Sequence, residues 1–239
     1  MLTVHHMRVS QSERIVWLCE ELEIKYDLKL HNRDPMFSPQ AIKDLYEIGS
    51  APVIQDGDLT MGESAACVEY IIHKHGDGRL ALPPSHPNYA DYVYWFAFSN
   101  GTLQPAVSRL MSIKAAGVDS SNDTAKRYQG KLDLYLRHVD GRLGRTSKWL
   151  AGEEFTAADI MTVFTLTTMR TFYSIDLSAY SNILTYLKRV VQRPGYQSYR
   201  EKGDPELPLM IDGPAAENFL EKLKSKANIV STLEWYVKV

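Results

Sequence analysis

The sequence of 239 residues is poor in cysteine, in net charge of either sign and in long apolar runs. Its two cysteines, Cys19 and Cys67, provide neither a disulfide framework nor a zinc site. The net charge of −2 creates no basic field that would attract nucleic acid or anionic lipid. No apolar run is long enough for a membrane helix, and the first residues lack the pattern of a signal peptide. We therefore expect a cytoplasmic protein with no nucleic-acid or membrane partner.

The composition is otherwise that of an ordinary globular protein. Hydrophobic residues make up 44% of the chain and charged residues 23%. The seven histidines form no pattern typical of metal ligands, so we expect no metal. The length allows one or two domains.

The first part of the chain alternates between strand and helix patterns. Helices are predicted from Ser12, over 38–47 and over 63–74, and strands over 2–6, 26–30, 51–55 and 59–61. Ser12 is a natural N-cap for the first helix. Gly57 lies in the turn between the last two strands, which is typical of a hairpin. This order of elements fits an α/β sheet that ends in a hairpin.

A Gly- and Pro-rich linker at 76–88 separates this part from a second part with helical patterns only. Helices are predicted over 89–114, 123–143, 157–172, 182–192 and 215–226, with Pro194-Gly195 as a stop signal. Thr156 and Asp159 have the spacing of a capping box at the start of the third of these helices. Apolar residues near the C-terminus predict that 203–239 packs on the helical part.

Three segments resemble the glutathione transferases, namely Gly49–Ile54, Met61–Ala66 and Phe155–Asp159. Ser10–Arg14 ahead of Trp17–Leu22 resembles the yeast and bacterial, fungal-like branch of that family. The resemblance implies an α/β plus all-α fold. A thioredoxin-like glutathione-binding domain would occupy 1–76, an all-helical domain with the electrophile site 88–202, and a C-terminal extension 203–239.

The resemblance also implies a binding site for glutathione, which would be the co-substrate. The family's proline at the position of Pro52 is cis and exposes the backbone of Ala51 to the cysteinyl part of glutathione. Ser64 would take the γ-glutamyl carboxylate at a helix N-terminus, and Glu63 would face the ligand's ammonium group. Val53, Ser50 and Lys43 are assigned to the same glutathione-binding site by their position in the chain.

The group that stabilises the glutathione thiolate is the least determined part of the site. The catalytic serine of the plant-type and zeta-type classes aligns with Val9, which has no hydrogen to donate. Ser10 is the first candidate, Ser12 the second and Gln11 the third, and backbone N–H groups of the same loop are an alternative. Classes that form a mixed disulfide with glutathione have a cysteine where this chain has Val9, so thiol–disulfide exchange is disfavoured.

The implied activity is conjugation of glutathione to a small hydrophobic electrophile, with a role in detoxification, by a homodimer. The predicted electrophile site lies between the domains and includes Met7, Arg8, Trp95 and Phe98. Two alternatives stay open: a glutathione-dependent isomerase, peroxidase or eliminase, and a non-enzymatic binding or regulatory protein of the same fold.

Overall fold

The computed structural model describes residues 1–34 and 37–214. Its first part combines a small sheet with three helices. The strands are β1 (Thr3–Met7), β2 (Asp27–His31), β3 (Val53–Asp56) and β4 (Leu59–Met61). The helices are α1 (Glu13–Glu21), α2 (Gln40–Lys43) and α3 (Ser64–His75). The predicted hairpin is confirmed, since β3 and β4 pair antiparallel.

The sheet has the strand order β2-β1-β3-β4. β2 runs parallel to β1, and β3 runs antiparallel to it. Buried side chains of the central strands, such as Val4 and Ile54, pack against the apolar face of α1. The loop after β1 and the chain entering β3 therefore lie next to each other, because these two strands are neighbours.

The second part is helical throughout its described length. It comprises α4 (Tyr89–Phe98), a wider π-helical turn (Ser99–Leu103), α5 (Gln104–Ala115), α6 (Asp123–Thr146), α7 (Ala157–Leu166), a 3-10 turn (Thr168–Thr171), α8 (Ser181–Val190) and α9 (Pro194–Gly203). None of the described helices is long and apolar enough to cross a membrane. The two parts together form the predicted fold, a thioredoxin-like sheet followed by a helical bundle.

The predicted capping box at the start of α7 is confirmed. The Thr156 backbone N–H donates to Asp159 Oδ2 at 3.0 Å, and the Thr156 side chain accepts from the backbone of Asp159. Asp159 also accepts hydrogen bonds from Leu150 N–H and the hydroxyl of Tyr186. One carboxylate therefore fixes the start of a wholly buried helix and its neighbours.

Four helix predictions need correction. The helix expected over 157–172 ends at Leu166 and is followed by a 3-10 turn. The helix expected over 38–47 is only four residues long, and the one expected over 89–114 contains the π turn. The predicted stop signal at Pro194 is the start of α9, which the sequence pattern did not reveal, and α8 already ends at Val190. A proline has no N–H to lose in the first turn of a helix, so it can begin one.

The beginning of the predicted C-terminal extension packs on the helical part. Arg170 donates to the carbonyl oxygens of Met210, Asp212, Gly213 and Pro214. The Leu177 N–H donates to Gly213 O at 2.7 Å. Gly203 still belongs to α9, so the extension starts after that residue. The helix predicted over 215–226 lies outside the described residues.

Candidate functional site

The loop between β1 and α1 is held in an unusual conformation at Val9. Its φ is 55°, a left-handed value that a β-branched residue adopts at a cost. The Val9 N–H donates to Asp204 Oδ1 at 2.9 Å, and Arg33 donates to the Val9 carbonyl from Nη2 at 2.7 Å. Two side chains from distant segments therefore hold both the backbone N–H and the backbone carbonyl of Val9.

A buried chain of polar groups lies directly beneath this loop. His6 Nε2 is 3.0 Å from Asp204 Oδ2, and His6 Nδ1 is 2.7 Å from Ser12 Oγ. Because a carboxylate can only accept, we place the His6 hydrogen on Nε2 when the ring is neutral. Ser12 Oγ then donates to His6 Nδ1 and accepts the Met7 N–H at 3.1 Å. Ser10 Oγ lies 2.7 Å from both Ser12 Oγ and Met7 O, so its hydrogen is shared between these two acceptors.

This arrangement corrects the expectation that Ser12 caps α1. Ser12 does stand at the N-cap position, but its hydroxyl makes no capping hydrogen bond. The nearby imidazole of His6 and the Met7 N–H use that hydroxyl instead. Sequence spacing alone does not reveal this competition, because the histidine precedes the helix on a separate strand.

Of the three candidate thiolate donors, the structure brings only Gln11 to the cleft between the two parts. Ser10 is 3% exposed and its hydroxyl donates to Met7 O at 2.7 Å, while Ser12 is fully buried. Gln11 lines the cleft and its Nε2 donates to Ala51 O at 3.3 Å. Its Oε1 accepts from Arg14 Nη1 at 3.2 Å, and since an arginine can only donate, this contact fixes which end of the amide faces Ala51.

The segment before β3 has the predicted cis peptide bond between Ala51 and Pro52. Both residues are buried, and Val53 pairs with His5 of β1. Lys43 and Ser50 are exposed on the stretch that leads to Ala51. Lys43 and Ser50 therefore lie in the exposed segment that precedes the sheet. The carbonyl of Ala51 lies where the chain enters β3.

Glu63 and Ser64 open α3 at the cleft. Glu63 is exposed and has a φ of 65°, a conformation that costs a non-glycine residue about 1–3 kcal/mol. Ser64 begins the helix and is 1% exposed, with Oγ 3.0 Å from Arg14 Nη1 and 3.1 Å from Asn100 Nδ2. Strained residues of this kind cluster at functional sites, and the N–H groups of a helix start favour anions.

Arg14 joins the two parts of the molecule at this point. It is fully buried, and it donates to Gln11, Ser64, Asn100 and Gln104 and to the carbonyl of Met161. Burial lowers the pKa of its guanidinium to about 9, and the neighbouring Glu13 opposes that shift. Sequence reasoning did not include Arg14 among the site residues, and the only available signal was its place in the Ser10–Arg14 segment.

Glu13 is a buried carboxyl on the other side of the same helix. Burial raises its pKa to about 7, although Thr168 Oγ1 at 2.5 Å and the Tyr199 hydroxyl at 3.0 Å donate to it. These donors come from the 3-10 turn and from α9. Glu13 therefore ties α1 to the helical part away from the cleft.

The cleft itself has a volume of about 610 Å³. Its described lining comprises Gln11, Glu63, Asn100, Gln104, Pro105, Ser108, Arg109, Ser112, Ile113 and Tyr128. The first two come from the sheet part and the others from the π turn, α5 and α6. Of the predicted site residues, Gln11 and Glu63 line the cleft, and the helical part forms the rest of its described lining.

The structure does not bring the four predicted electrophile-site residues to this wall. Met7 and Trp95 are buried, and the Trp95 ring stacks on His138 with centroids 4.9 Å apart. Phe98 lines a separate groove with Tyr94 and His138, and Arg8 donates to Gly203 O at 2.8 Å. Trp95 and Phe98 both lie on α4, before the π turn, and their rings pack against His138 of α6 instead of facing the cleft.

Both cysteines are buried and far from thiolate character. Burial is the main cause that raises the pKa of Cys67 to about 12, and it also raises the pKa of Cys19 well above its ordinary value. This agrees with the expectation that thiol–disulfide exchange is disfavoured. Within residues 1–34 and 37–214, no three His, Cys, Asp or Glu side chains are grouped so that they could hold a metal ion.

Comparison with known proteins agrees with this fold and cleft. The glutathione S-transferase N-terminal domain matches residues 4–79, and the glutathione S-transferase C-terminal domain matches residues 87–194. Glutathione S-transferase 3 of Schizosaccharomyces pombe is 30% identical over 217 residues, which cover 84% of this chain and 88% of the relative. Glutathione S-transferase 1 of Saccharomyces cerevisiae is 22% identical, with 84% and 95% covered.

Among solved structures, a glutathione S-transferase from Actinobacillus pleuropneumoniae is similar. It is 32% identical, covers 85% of this chain and 93% of its own, and superimposes with a TM-score of 0.77. The fold is that of a thioredoxin-like domain joined to a helical domain. The chain belongs to the glutathione S-transferase family, and this membership indicates an enzyme with glutathione as co-substrate.

Proposed function

We propose that the chain binds glutathione as a thiolate and conjugates it to a small hydrophobic electrophile. The observation that supports this proposal is that Gln11 and Glu63 line one cleft, and that Gln11 contacts both Ala51 O and the Ser64 hydroxyl. These groups match the three parts of the ligand: thiol, cysteinyl backbone and γ-glutamyl end. Catalysis rests on thiolate stabilisation and on proximity of the two substrates.

The γ-glutamyl end would bind at the start of α3. The free N–H groups of this helix and the Ser64 hydroxyl suit a carboxylate, and Glu63 suits the adjacent ammonium. Arg14 adds a buried positive charge that touches Ser64 directly. Lys43 and Ser50 would bind the glycine carboxylate. Val53 follows Pro52 and would belong to the same glutathione-binding segment.

The thiolate donor in this proposal is the side-chain amide of Gln11. Its Nε2 already lies beside Ala51 O, the carbonyl next to which the cysteinyl part would bind. The Ser10 hydrogen is engaged by Met7 O in the interior, so Ser10 and Ser12 would serve to shape the loop. This reverses the order of candidates that the sequence favours.

A broader assignment accompanies this activity. Residues 1–76 would bind glutathione, 88–202 would carry the electrophile site, and the extension 203–239 would pack on the helical domain. We expect a cytoplasmic homodimer with a role in detoxification. Sedimentation equilibrium tests the dimer, and a mass equal to one chain at micromolar concentration contradicts it.

The thiol pKa of bound glutathione tests the mechanism. Ultraviolet absorbance of the thiolate, followed against pH, should show the pKa lowered from about 8.5 to about 7 by one charge-assisted hydrogen bond. Gln11→Ala should reverse this effect, and Ser10→Ala should largely keep it. If Ser10→Ala alone restores the pKa of free glutathione, the donor is Ser10.

Two further outcomes separate the alternatives. If the wild type binds glutathione and leaves the thiol pKa unchanged, the non-enzymatic binding protein is the better description. If the thiolate forms but only hydroperoxides or isomerisable substrates turn over, the reaction is peroxide reduction or isomerisation rather than conjugation. A panel of electrophiles, hydroperoxides and isomerisable substrates makes that distinction.

A further inference from the structure

The wall of the cleft that faces the glutathione-binding residues is polar and bears a positive charge. Gln104, Ser108 and Ser112 follow one another at a spacing of four on α5, so their side chains share one face of the helix. Arg109 lies beside them and lines the same cleft. Gln104 already bonds to Arg14 and Gln11, and Ser112 donates to Ser108 O, so Arg109 is the group of this wall whose charge is available to a ligand.

Arg109 is exposed and pairs with no carboxylate among residues 1–34 and 37–214. Other exposed arginines of the helical part, such as Arg145, share this property, but Arg109 lines the cleft and they do not. Its guanidinium presents five N–H donors in a planar fork that matches a carboxylate. The neighbouring Ser108 hydroxyl offers a further donor, whereas the Ser112 hydroxyl already donates to Ser108 O at 3.1 Å.

The same wall has an apolar portion. Pro105, Ile113 and the ring of Tyr128 complete the cleft around Arg109. The wall therefore suits a molecule with an aromatic or alkyl body and one anionic group. A cationic acceptor would be repelled by Arg109, while Glu63 on the opposite side would be occupied by the ammonium group of glutathione.

We propose that Arg109 makes this enzyme selective for electrophiles that carry a carboxylate. This inference rests on the proposed function and names the substrate class of the same cleft. In a suitable reaction, the glutathione thiolate forms a carbon–sulfur bond to an activated aromatic carbon, and chloride leaves with its electron pair. The thiol proton has gone to solvent when the thiolate formed.

Paired chloronitrobenzenes test the selectivity. We would measure kcat/KM for 4-chloro-3,5-dinitrobenzoate and for neutral 1-chloro-2,4-dinitrobenzene with the wild type, Arg109→Gln and Arg145→Gln. Arg145 is exposed near the far end of α6, so its variant is a control for the same loss of charge. Each rate is divided by the uncatalysed rate with glutathione, because the two electrophiles differ in intrinsic reactivity.

The deciding result is the ratio of the normalised kcat/KM for the benzoate to that for the neutral electrophile. Arg109→Gln should lower the benzoate-to-neutral ratio by about tenfold, as expected for the loss of one charge-assisted contact, and Arg145→Gln should leave it unchanged. The wild-type ratio should also fall as salt is raised. An equal ratio in the wild type and Arg109→Gln overturns the proposal, as does a ratio that falls equally in Arg145→Gln.

Two measurements keep this proposal separate from the proposed function. Arg109→Gln could instead raise the KM for glutathione equally with both electrophiles, and Arg109 would then bind glutathione, which overturns the selectivity. If neither electrophile turns over, conjugation of these substrates fails. In that case, calorimetry would measure the binding of the preformed conjugate between glutathione and the carboxylated electrophile. Equal affinities of the wild type and Arg109→Gln would refute the role of Arg109.

Discussion

His6 Nε2 lies 3.0 Å from the carboxylate of Asp204, although 198 positions separate the two residues in the chain. Both side chains are buried, and the other carboxylate oxygen accepts the N–H of Val9. One acidic residue just after α9 therefore holds β1 and the loop that carries Gln11 of the proposed glutathione site.

Replacing Asp204 should cost both stability and site geometry. Asp204→Ala leaves His6 and the Val9 N–H unsatisfied in the interior, and we expect a loss of about 3–5 kcal/mol in the free energy of unfolding by urea. Asp204→Asn keeps an acceptor for Val9 and should cost less. Asp58→Asn in the exposed hairpin turn is the control, and a loss as large as that of Asp204→Ala would contradict the explanation.

The same carboxyl predicts sensitivity to acid. Burial raises the pKa of Asp204, but the hydrogen bond and charge of His6 outweigh this effect and hold the pKa below its ordinary value. A carboxyl with a depressed pKa stabilises the fold above the pKa of the unfolded chain, near 3.8, and loses this contribution as the pH falls through the folded value. Urea titrations below pH 4 should therefore show a shallower loss in Asp204→Asn than in the wild type.

Glu13 should give the opposite dependence on pH. Its folded pKa of about 7 lies above the model-compound value of 4.5, so the unfolded chain releases the proton first as the pH rises. Stability then falls between about pH 4.5 and 7 and levels off above that range. Glu13→Gln should flatten this slope and gain about 1–3 kcal/mol over the wild type at pH 8. An unchanged slope would show that Glu13 titrates normally.

Gln11→Glu offers a sharper test of the thiolate donor than alanine. The new carboxylate would stand beside Ala51 O and repel a thiolate, so the pKa of bound glutathione should rise above that in Gln11→Ala. The measurement is the thiolate absorbance against pH. A pKa that stays at the wild-type value in Gln11→Glu would exclude Gln11 as the donor.

Arg14→Lys should weaken glutathione binding. A lysine ammonium cannot reach Ser64, Asn100 and Gln104 together as the guanidinium does, so Ser64 would lose its fixed orientation. We expect the dissociation constant, measured by calorimetry, to rise about tenfold, equivalent to about 1.4 kcal/mol. Arg142→Lys removes comparable contacts away from the cleft and is the matched control. Equal affinity in both variants would assign Arg14 a purely structural role.

Features that depend on neighbouring residues were predictable from the sequence. The capping box of Thr156 and Asp159 and the hairpin around Gly57 need only local spacing, and both are present. The cis bond before Pro52 followed from the family resemblance. The two-part fold followed from the order of the periodic segments.

Features that depend on distant partners were not predictable. Ser12 stands at the N-cap position, yet its hydroxyl bonds to the ring of His6. The Ser10 hydroxyl also points into the interior, where it donates to Met7 O. Trp95 and Phe98 pack against His138 of α6, a contact that the pattern of α4 alone does not encode. Arg14 and Asp204 act through contacts across the domain boundary, which no local pattern encodes.

The hydrogen bonds that Val9 makes with Arg33 and Asp204 also determine which domains of such enzymes can be exchanged. The loop that presents Gln11 is held partly by Asp204, which lies beyond α9. The sheet domain alone therefore lacks one of the hydrogen bonds that fix this loop. A chimaera that joins this sheet domain to another member's helical domain must bring Asp204 or an equivalent acceptor with it. We therefore expect the proposed glutathione site to depend on residues of both domains rather than on the first 76 positions alone.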